Sequence, residues 1–195
     1  MVTLVLLTRG ERGTQDARLE PELKDIRAQE ARNSAALLGV SRLIQEDFGD
    51  GALAAKRAEL TKFMSTLLAE EQPDLLITYD LAGFYGHPDH IICSEVVTDL
   101  QRNRFQTIPL WYVTFPAIVL ARARMPEHMA THPYSQNQQA LPTRKIFIGT
   151  SVFPKIRSWY AYKSQRASLT KGLRKLLPIW FFLSMVLFEY FAEVN

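Results

Sequence analysis

Short apolar runs alternate along this chain with longer stretches in which apolar residues recur at helical spacing. The runs at Val2–Thr8 and Leu75–Tyr79 are almost unbroken, as in strands that are covered on both faces. Shorter runs at Arg42–Gln45, Leu110–Phe115 and Lys145–Gly149 indicate further strands. The pattern therefore predicts five strands distributed over most of the chain.

The stretches between these runs predict three helices, at Glu22–Leu38, Ala52–Glu71 and Pro88–Asn103. In the first helix the expected inward face consists of Leu23, Ile26, Ala31, Ala35 and Leu38. In the second it consists of Leu60, Phe63, Met64, Leu67 and Leu68. Because strands and helices alternate, we predict an α/β fold. We expect one three-layer, Rossmann-like domain over residues 1–195, with a mainly parallel sheet flanked by helices.

Composition and charge restrict the class of protein. The 195 residues are 47% hydrophobic and 22% charged, which is ordinary for a folded domain. A net charge of +3 is too small to argue for a nucleic-acid partner. One cysteine excludes an internal disulfide framework. With no cationic stretch before an apolar core at the N-terminus, we predict no signal peptide and a cytoplasmic location.

The C-terminal part combines a basic stretch with an apolar one. Seven basic residues and no acidic ones lie between Lys155 and Lys175, and Leu176–Phe188 is nearly all apolar. Its thirteen residues are fewer than the about 18 that a membrane-spanning helix needs. The simpler interpretation is a solvated basic face followed by a segment packed on the core. The alternative is peripheral contact with an anionic membrane surface. Nothing in the sequence predicts the oligomeric state.

Candidate chemistry concentrates in Tyr85-Gly86-His87-Pro88-Asp89-His90, between the strand Leu75–Tyr79 and the helix Pro88–Asn103. Ligands of α/β sheets bind at this edge, where strands end. Because His87 and His90 are three residues apart, both imidazoles can face one small volume. Asp89 at the helix start can orient a histidine that binds metal or moves a proton. An arbitrary His-x-x-His is more often a polar turn. The complete six-residue string after a predicted buried strand instead favours a functional site.

Three other residues are weaker candidates for metal binding. Cys93 follows one turn after His90, where a small core residue is the more common explanation. His128 and His132 have the spacing of metal ligands on a helix, but Pro126 and Pro133 disfavour a regular helix there. We therefore expect these two histidines on the surface.

The string Gly83-Phe84-Tyr85-Gly86-His87-Pro88-Asp89-His90 resembles the second signature of the PIG-L/LmbE family of zinc-dependent N-deacetylases, Gly-x-Tyr-Gly-His-Pro-Asp-His. Two further stretches are similar to that family, Arg27-Ala-Gln-Glu30 with the following Ala35–Val40, and Ala161–Gln165. The matches span most of the chain in the family's order. Family members remove acetyl groups from N-acetylglucosamine carried on inositol, malate or related aglycones. The resemblance thus implies hydrolysis of an amino-sugar amide, with a small-molecule substrate.

The resemblance also implies a role for each matching residue of the motif. A catalytic zinc has three protein ligands and an open position for water, and His90 matches a ligand of Zn²⁺ or another divalent metal. His87 matches the imidazole that stabilises the oxyanion or protonates the amine, and Asp89 matches the carboxylate that holds His87 and favours its protonated form. Tyr85 matches the phenol that polarises the substrate carbonyl.

Arg27 and Glu30 lie one helical turn apart on the predicted helix Glu22–Leu38. Their spacing alone predicts an ordinary surface ion pair. The family resemblance implies instead that Arg27 contacts the sugar. Both interpretations remain open at the level of sequence.

One family feature is absent from this sequence. Members have an earlier strand ending in His-Pro-Asp-Asp-Glu, which supplies two zinc ligands and a base, and no such string occurs in the 195 residues. Val2–Thr8 corresponds to the family's second strand, so we expect a domain that is incomplete at its N-terminus and inactive as this exact chain. Two hypotheses remain, a metallohydrolase that needs a further segment and a non-catalytic domain that binds a sugar or a partner. The intact second motif favours the first.

Overall fold

The computed structural model describes residues 1–13, 20–114, 139–165 and 187–194. The elements in chain order are β1 Thr3–Leu6, α1 Glu20–Leu38, β2 Arg42–Gln45, α2 Arg57–Glu71, β3 Leu76–Tyr79, α3 Gly83–Gly86, α4 Pro88–Asn103, β4 Leu110–Thr114, β5 Arg144–Phe147, α5 Val152–Ala161 and β6 Phe188–Val194. His128, His132 and most of the basic and apolar C-terminal stretches lie outside the described residues. The described elements establish a mixed α/β fold.

The chain divides into two compact units. The first comprises residues 1–50 and 147–188, and the second comprises residues 51–146 and 189–195. In the first unit β1 and β2 pair in parallel, with Thr3 opposite Arg42, and α5 packs against α1. Among the described helices of both units, none has the length and apolarity needed to span a membrane.

A four-stranded sheet has the strand order β3-β4-β6-β5. β3 and β4 are parallel, with Leu76 opposite Leu110, whereas β6 runs antiparallel to β4. The sheet is therefore mixed. The described pairs β1–β2 and β3–β4 have the predicted parallel direction but belong to two separate sheets, not to the one sheet expected, and the antiparallel β6 was not predicted. Because β6 begins where the long apolar stretch Leu176–Phe188 ends, the hydrophobic pattern shows no boundary at the start of the strand.

The core of the second unit lies between α2, α4 and one face of its sheet. Alternate residues of β4 are buried, and the Tyr112 hydroxyl on that face is hydrogen-bonded to Thr98 of α4 at 2.8 Å. The inward face predicted for α2 is confirmed for four of its five residues, Leu60, Met64, Leu67 and Leu68, and Phe63 is half-buried. Burial of these side chains positions α4, which carries the histidine motif.

Sequence periodicity placed most elements within a few residues of their observed limits. β2 and α4 have the predicted bounds, and β1 and β3 are shorter at their ends. α2 begins five residues later than predicted because residues 52–56 form turns. The predicted strand Lys145–Gly149 is β5, which begins one residue earlier and ends two residues earlier than predicted, and a 3₁₀ turn follows at Gly149–Ser151.

The predicted inward face of α1 is wrong at two positions, since Ile26 and Leu38 are 49% and 48% exposed. Ala31 and Ala35 are buried as predicted. The remaining buried positions are small or polar, namely Arg27, Ala28, Glu30 and Ser34. Apolar spacing alone could not identify this face because its charged members are buried through hydrogen bonds to distant residues.

Candidate active site

The histidine motif lies where β3 ends and α4 begins, as the sequence predicted. His87 is the N-cap of α4, and its Nδ1 accepts a hydrogen bond from the Asp89 backbone N–H at 3.2 Å. Pro88 occupies the first helical turn, where its missing N–H leaves no donor unsatisfied. This cap fixes the start of α4 and brings His87 beside His90, with ring centroids 4.6 Å apart.

Two contacts hold the His90 ring, one at its edge and one on its face. Its Nδ1 lies 3.3 Å from the Gly83 carbonyl oxygen. Because a carbonyl can only accept, this contact requires the proton on Nδ1 and leaves the lone pair on Nε2. The ring also stacks on Tyr79, with centroids 3.9 Å apart and planes 6° apart.

The surroundings of His90 keep it neutral. Burial lowers the pKa of His90 from 6.5 to about 4, and the neighbouring His87 acts in the same direction, while the Gly83 carbonyl opposes them. At neutral pH the ring is therefore an uncharged imidazole with its lone pair on Nε2. That is the form of histidine that binds metals.

Asp89 is buried, and its carboxylate binds backbone N–H groups of a neighbouring segment. It accepts hydrogen bonds from the Gly51 N–H at 2.6 Å and from the Leu53 N–H at 3.3 Å. The Asp89 backbone N–H donates to His87. The carboxylate therefore holds the segment before α2.

Sequence reasoning did not single out Asp80, which directly follows β3. It is 1% exposed, and its carboxylate accepts hydrogen bonds from the Phe84 N–H at 2.8 Å and the Ala140 N–H at 3.0 Å. Burial raises the pKa of Asp80, and the backbone donors oppose that rise. An acidic residue immediately after a predicted strand was the available signal, although that strand is less buried than predicted, with Ile77 51% exposed. Asp80 ties α3, which contains Tyr85, to residue 140; the side chain of Tyr85 lies outside the described atoms.

In the first unit, two family-like stretches far apart in sequence contact each other. The Glu30 carboxylate accepts hydrogen bonds from the Ser164 N–H at 2.9 Å and from the Ser164 hydroxyl at 2.6 Å, across 134 residues of sequence. Arg27 donates to the Gly10 carbonyl. With its amide oxygen turned towards Arg27, Gln165 accepts from that guanidinium at 2.8 Å. Arg27 and Glu30 are thus buried and bonded to other residues, which excludes the ordinary surface ion pair.

Acidic residues surround Arg27 within this unit. Burial lowers the pKa of Arg27, whereas Asp50, Glu30 and Glu11 act in the opposite direction. Glu11 accepts a hydrogen bond from the Asp50 N–H at 2.8 Å, and its buried Oε2 has no hydrogen-bond partner among the described residues. Sequence analysis did not select Glu11 or Asp50, although Glu11 lies in a glycine-containing loop that follows β1. The loop position was the available signal.

The described residues do not form a complete metal site. Among them, no group of three or more His, Cys, Asp or Glu side chains is placed to hold an ion. His90 has the protonation state and the buried position of one ligand. A catalytic zinc needs three protein ligands, so the described donor set does not by itself fit that metal.

Comparison with known proteins agrees with the motif. Residues 1–101 match the family model PIG-L, described as GlcNAc-PI de-N-acetylase. The chain is 37% identical over 91 residues to the diacetylchitobiose deacetylase of Thermococcus kodakarensis, an alignment covering 46% of this chain and 34% of that enzyme. The chain therefore matches about a third of the length of that relative.

Solved structures share the fold. N,N'-diacetylchitobiose deacetylase from Pyrococcus horikoshii superposes with a TM-score of 0.64 at 22% identity, covering 99% of this chain and 72% of that one. GalB, the 4-carboxy-2-hydroxymuconate hydratase of Pseudomonas putida, superposes with a TM-score of 0.55 at 19% identity, covering 99% and 83%. These likenesses concern the fold, which carries more than one reaction. Because the family model matches residues 1–101 of the 195, the chain belongs to the PIG-L, GlcNAc-PI de-N-acetylase, family.

Proposed function

We propose that this chain contributes to hydrolysis of the N-acetyl group of an N-acetylglucosamine-containing substrate. The observation that carries the proposal is the pair His87 and His90 at the start of α4, with His90 neutral and its Nδ1 directed to a backbone carbonyl. Since the same fold is found in a hydratase, the fold does not select the reaction. The complete motif Tyr85–His90 and the family membership support deacetylation.

His90 is the proposed ligand of Zn²⁺ or another divalent cation. In amide hydrolysis such an ion activates the attacking water. The described residues provide one ligand with suitable chemistry, His90. The roles proposed for the remaining residues concern hydrogen bonds and protons only.

The cap contact of His87 favours one of its two expected roles. Its Nδ1 accepts the Asp89 N–H, so in the neutral ring the proton is on Nε2. An Nε2–H can donate to the developing oxyanion without disturbing the cap. Protonation of the amine would need an imidazolium, whose Nδ1–H would oppose the Asp89 N–H. We therefore propose oxyanion stabilisation for His87, with Tyr85 as a second donor to the carbonyl.

The proposed substrate class is a small amino-sugar glycoconjugate. Arg27 remains the predicted sugar ligand, although the described guanidinium already donates to Gly10 and has Gln165 beside it. In the loop after β1, the buried Oε2 of Glu11 has no partner among the described residues, and a sugar hydroxyl would satisfy this acceptor. Membrane contact through the C-terminal stretch and the three-layer arrangement of the sheet stay predictions.

The second candidate is a non-catalytic domain that binds a sugar or a partner chain. The sequence lacks the His-Pro-Asp-Asp-Glu string, and the described residues hold no complete metal cluster. We therefore expect the 195-residue chain to show no significant turnover of N-acetylglucosaminides with zinc. A longer version that carries the family's first motif ahead of Met1 should hydrolyse them. Chelator-sensitive turnover by the short chain would contradict this account of the ligands.

Substitutions in the longer version test the division of roles. His90→Ala should lower zinc content, because it removes one of three protein ligands. His87→Ala should keep the zinc and lower turnover by about 10²–10⁴-fold, as for loss of a positioned oxyanion donor. Cys93→Ser is the matched control and should retain both metal and turnover. Equal zinc loss in the two histidine variants would refute the assignment, and unchanged turnover in both would refute deacetylation.

A further inference from the structure

Tyr79 has a contact with the motif that no role yet accounts for. It is the last residue of β3, and its ring lies nearly parallel to the His90 imidazole, 3.9 Å away between centroids. Offset and parallel stacking restricts rotation of the smaller ring, because any tilt loses contact over the whole face. The contact involves the ring of Tyr79, not its hydroxyl.

Gly83 provides the second restraint on His90. Its carbonyl meets Nδ1 of His90 at 3.3 Å, and its backbone has a φ of 61°. A Cβ at this position would lie 2.9 Å from the Ile91 backbone nitrogen and 2.7 Å from its Cγ1. Only glycine allows this approach, since real Cβ atoms do not come so close and φ is positive. The missing side chain is what lets the carbonyl reach His90.

We propose that Tyr79 and Gly83 are positioning residues, which together fix the ring plane of His90 and its Nδ1–H tautomer, and so direct the Nε2 lone pair. The value of this arrangement for catalysis rests on the proposed function. The arrangement itself is a property of the described chain without any ligand.

The two contacts fix different properties of the His90 ring, its tautomer and its orientation. The Gly83 carbonyl selects the tautomer, because the proton remains on the nitrogen that faces the acceptor. The Tyr79 ring keeps the imidazole in the orientation that allows this hydrogen bond to form. When the stack is removed, the imidazole can rotate about its χ2 angle and the Nδ1–H bond weakens. A mixture of Nδ1–H and Nε2–H tautomers should then appear.

The test is ¹⁵N NMR of the imidazoles in the metal-free 195-residue chain, at one fixed neutral pH. The ring-nitrogen shifts report which nitrogen carries the proton. The wild type and Tyr79→Phe should both show one His90 species with the proton on Nδ1, since phenylalanine keeps the stack. Tyr79→Thr, which keeps a strand-forming residue but no ring, should show loss of the single species. Gly83→Ala should show the same loss through displacement of the carbonyl.

Tyr112→Phe is the matched control. It removes the 2.8 Å hydrogen bond to Thr98 in the same core and keeps the Tyr79 ring and the Gly83 carbonyl in place, so it should lower stability and leave the tautomer unchanged. An unchanged His90 signal in folded Tyr79→Thr, or an equal change in Tyr79→Phe, would overturn the proposal. If Tyr79→Thr does not fold, Tyr79→Leu serves in its place. Because no deacetylation is measured, failure of the proposed function would leave this result intact.

Discussion

The stability of this protein should decrease on mild acidification because of His90. The pKa of His90 is about 4 in the folded chain against an ordinary value of 6.5. Between these values the unfolded state binds more protons than the folded state, so the free energy of unfolding rises with pH. The stabilisation is complete above pH 6.5 and is lost as the pH falls towards 4. Between pH 7 and pH 5 the linkage relation gives a loss of at most about 2 kcal/mol.

Urea unfolding of the metal-free chain, followed by tryptophan fluorescence at pH 7 and pH 5, measures this loss. His90→Gln keeps a polar side chain that does not titrate, so its stability should depend less on pH by about 2 kcal/mol. His87→Gln is the control, since it retains His90 and the burial that is the main cause of the lowered pKa. Comparing variants removes contributions from other groups. An equal pH dependence in the wild type and His90→Gln would refute the reasoning.

Three further predictions concern the buried carboxylates. Asp89→Ala removes the acceptor for two backbone N–H groups and should lower unfolding free energy by about 1–3 kcal/mol in urea melts, with Asp89→Asn losing less. Asp80→Asn should also destabilise at neutral pH, because its amide N–H₂ would face a backbone donor. Since burial raises the pKa of Asp80 above the ordinary 3.8, ionisation costs the wild type stability as pH rises above that value, so the advantage of the wild type over the variant should widen as pH falls towards 3.8. Glu30→Ala and Ser164→Ala should give a double-mutant cycle with a coupling energy of about 0.5–3 kcal/mol; additive effects would contradict the observed contact.

Much of the site was predictable because its chemistry is local in sequence. The motif Tyr85–His90 has a turn-forming glycine, a proline suited to a helix start and two histidines within six residues. These properties need only neighbouring residues, and the structure places α4 at Pro88–Asn103 as predicted. The sequence could not assign the tautomer of His90, because that depends on the Gly83 carbonyl and on the stacked ring of Tyr79. Both partners are set by how β3, α3 and α4 pack.

The sequence by itself determined the order and type of most elements, since apolar periodicity follows from which face of each element is buried. Only the tertiary structure decided which polar groups are buried together. Arg27 and Glu30 form the inward face of α1, because residues more than a hundred positions later supply the partner of Glu30. Asp89 likewise depends on distant partners, the backbone N–H groups before α2 that lie 38 and 36 positions earlier. Buried charge is tolerated only with such partners, and partners distant in sequence leave no periodic signal.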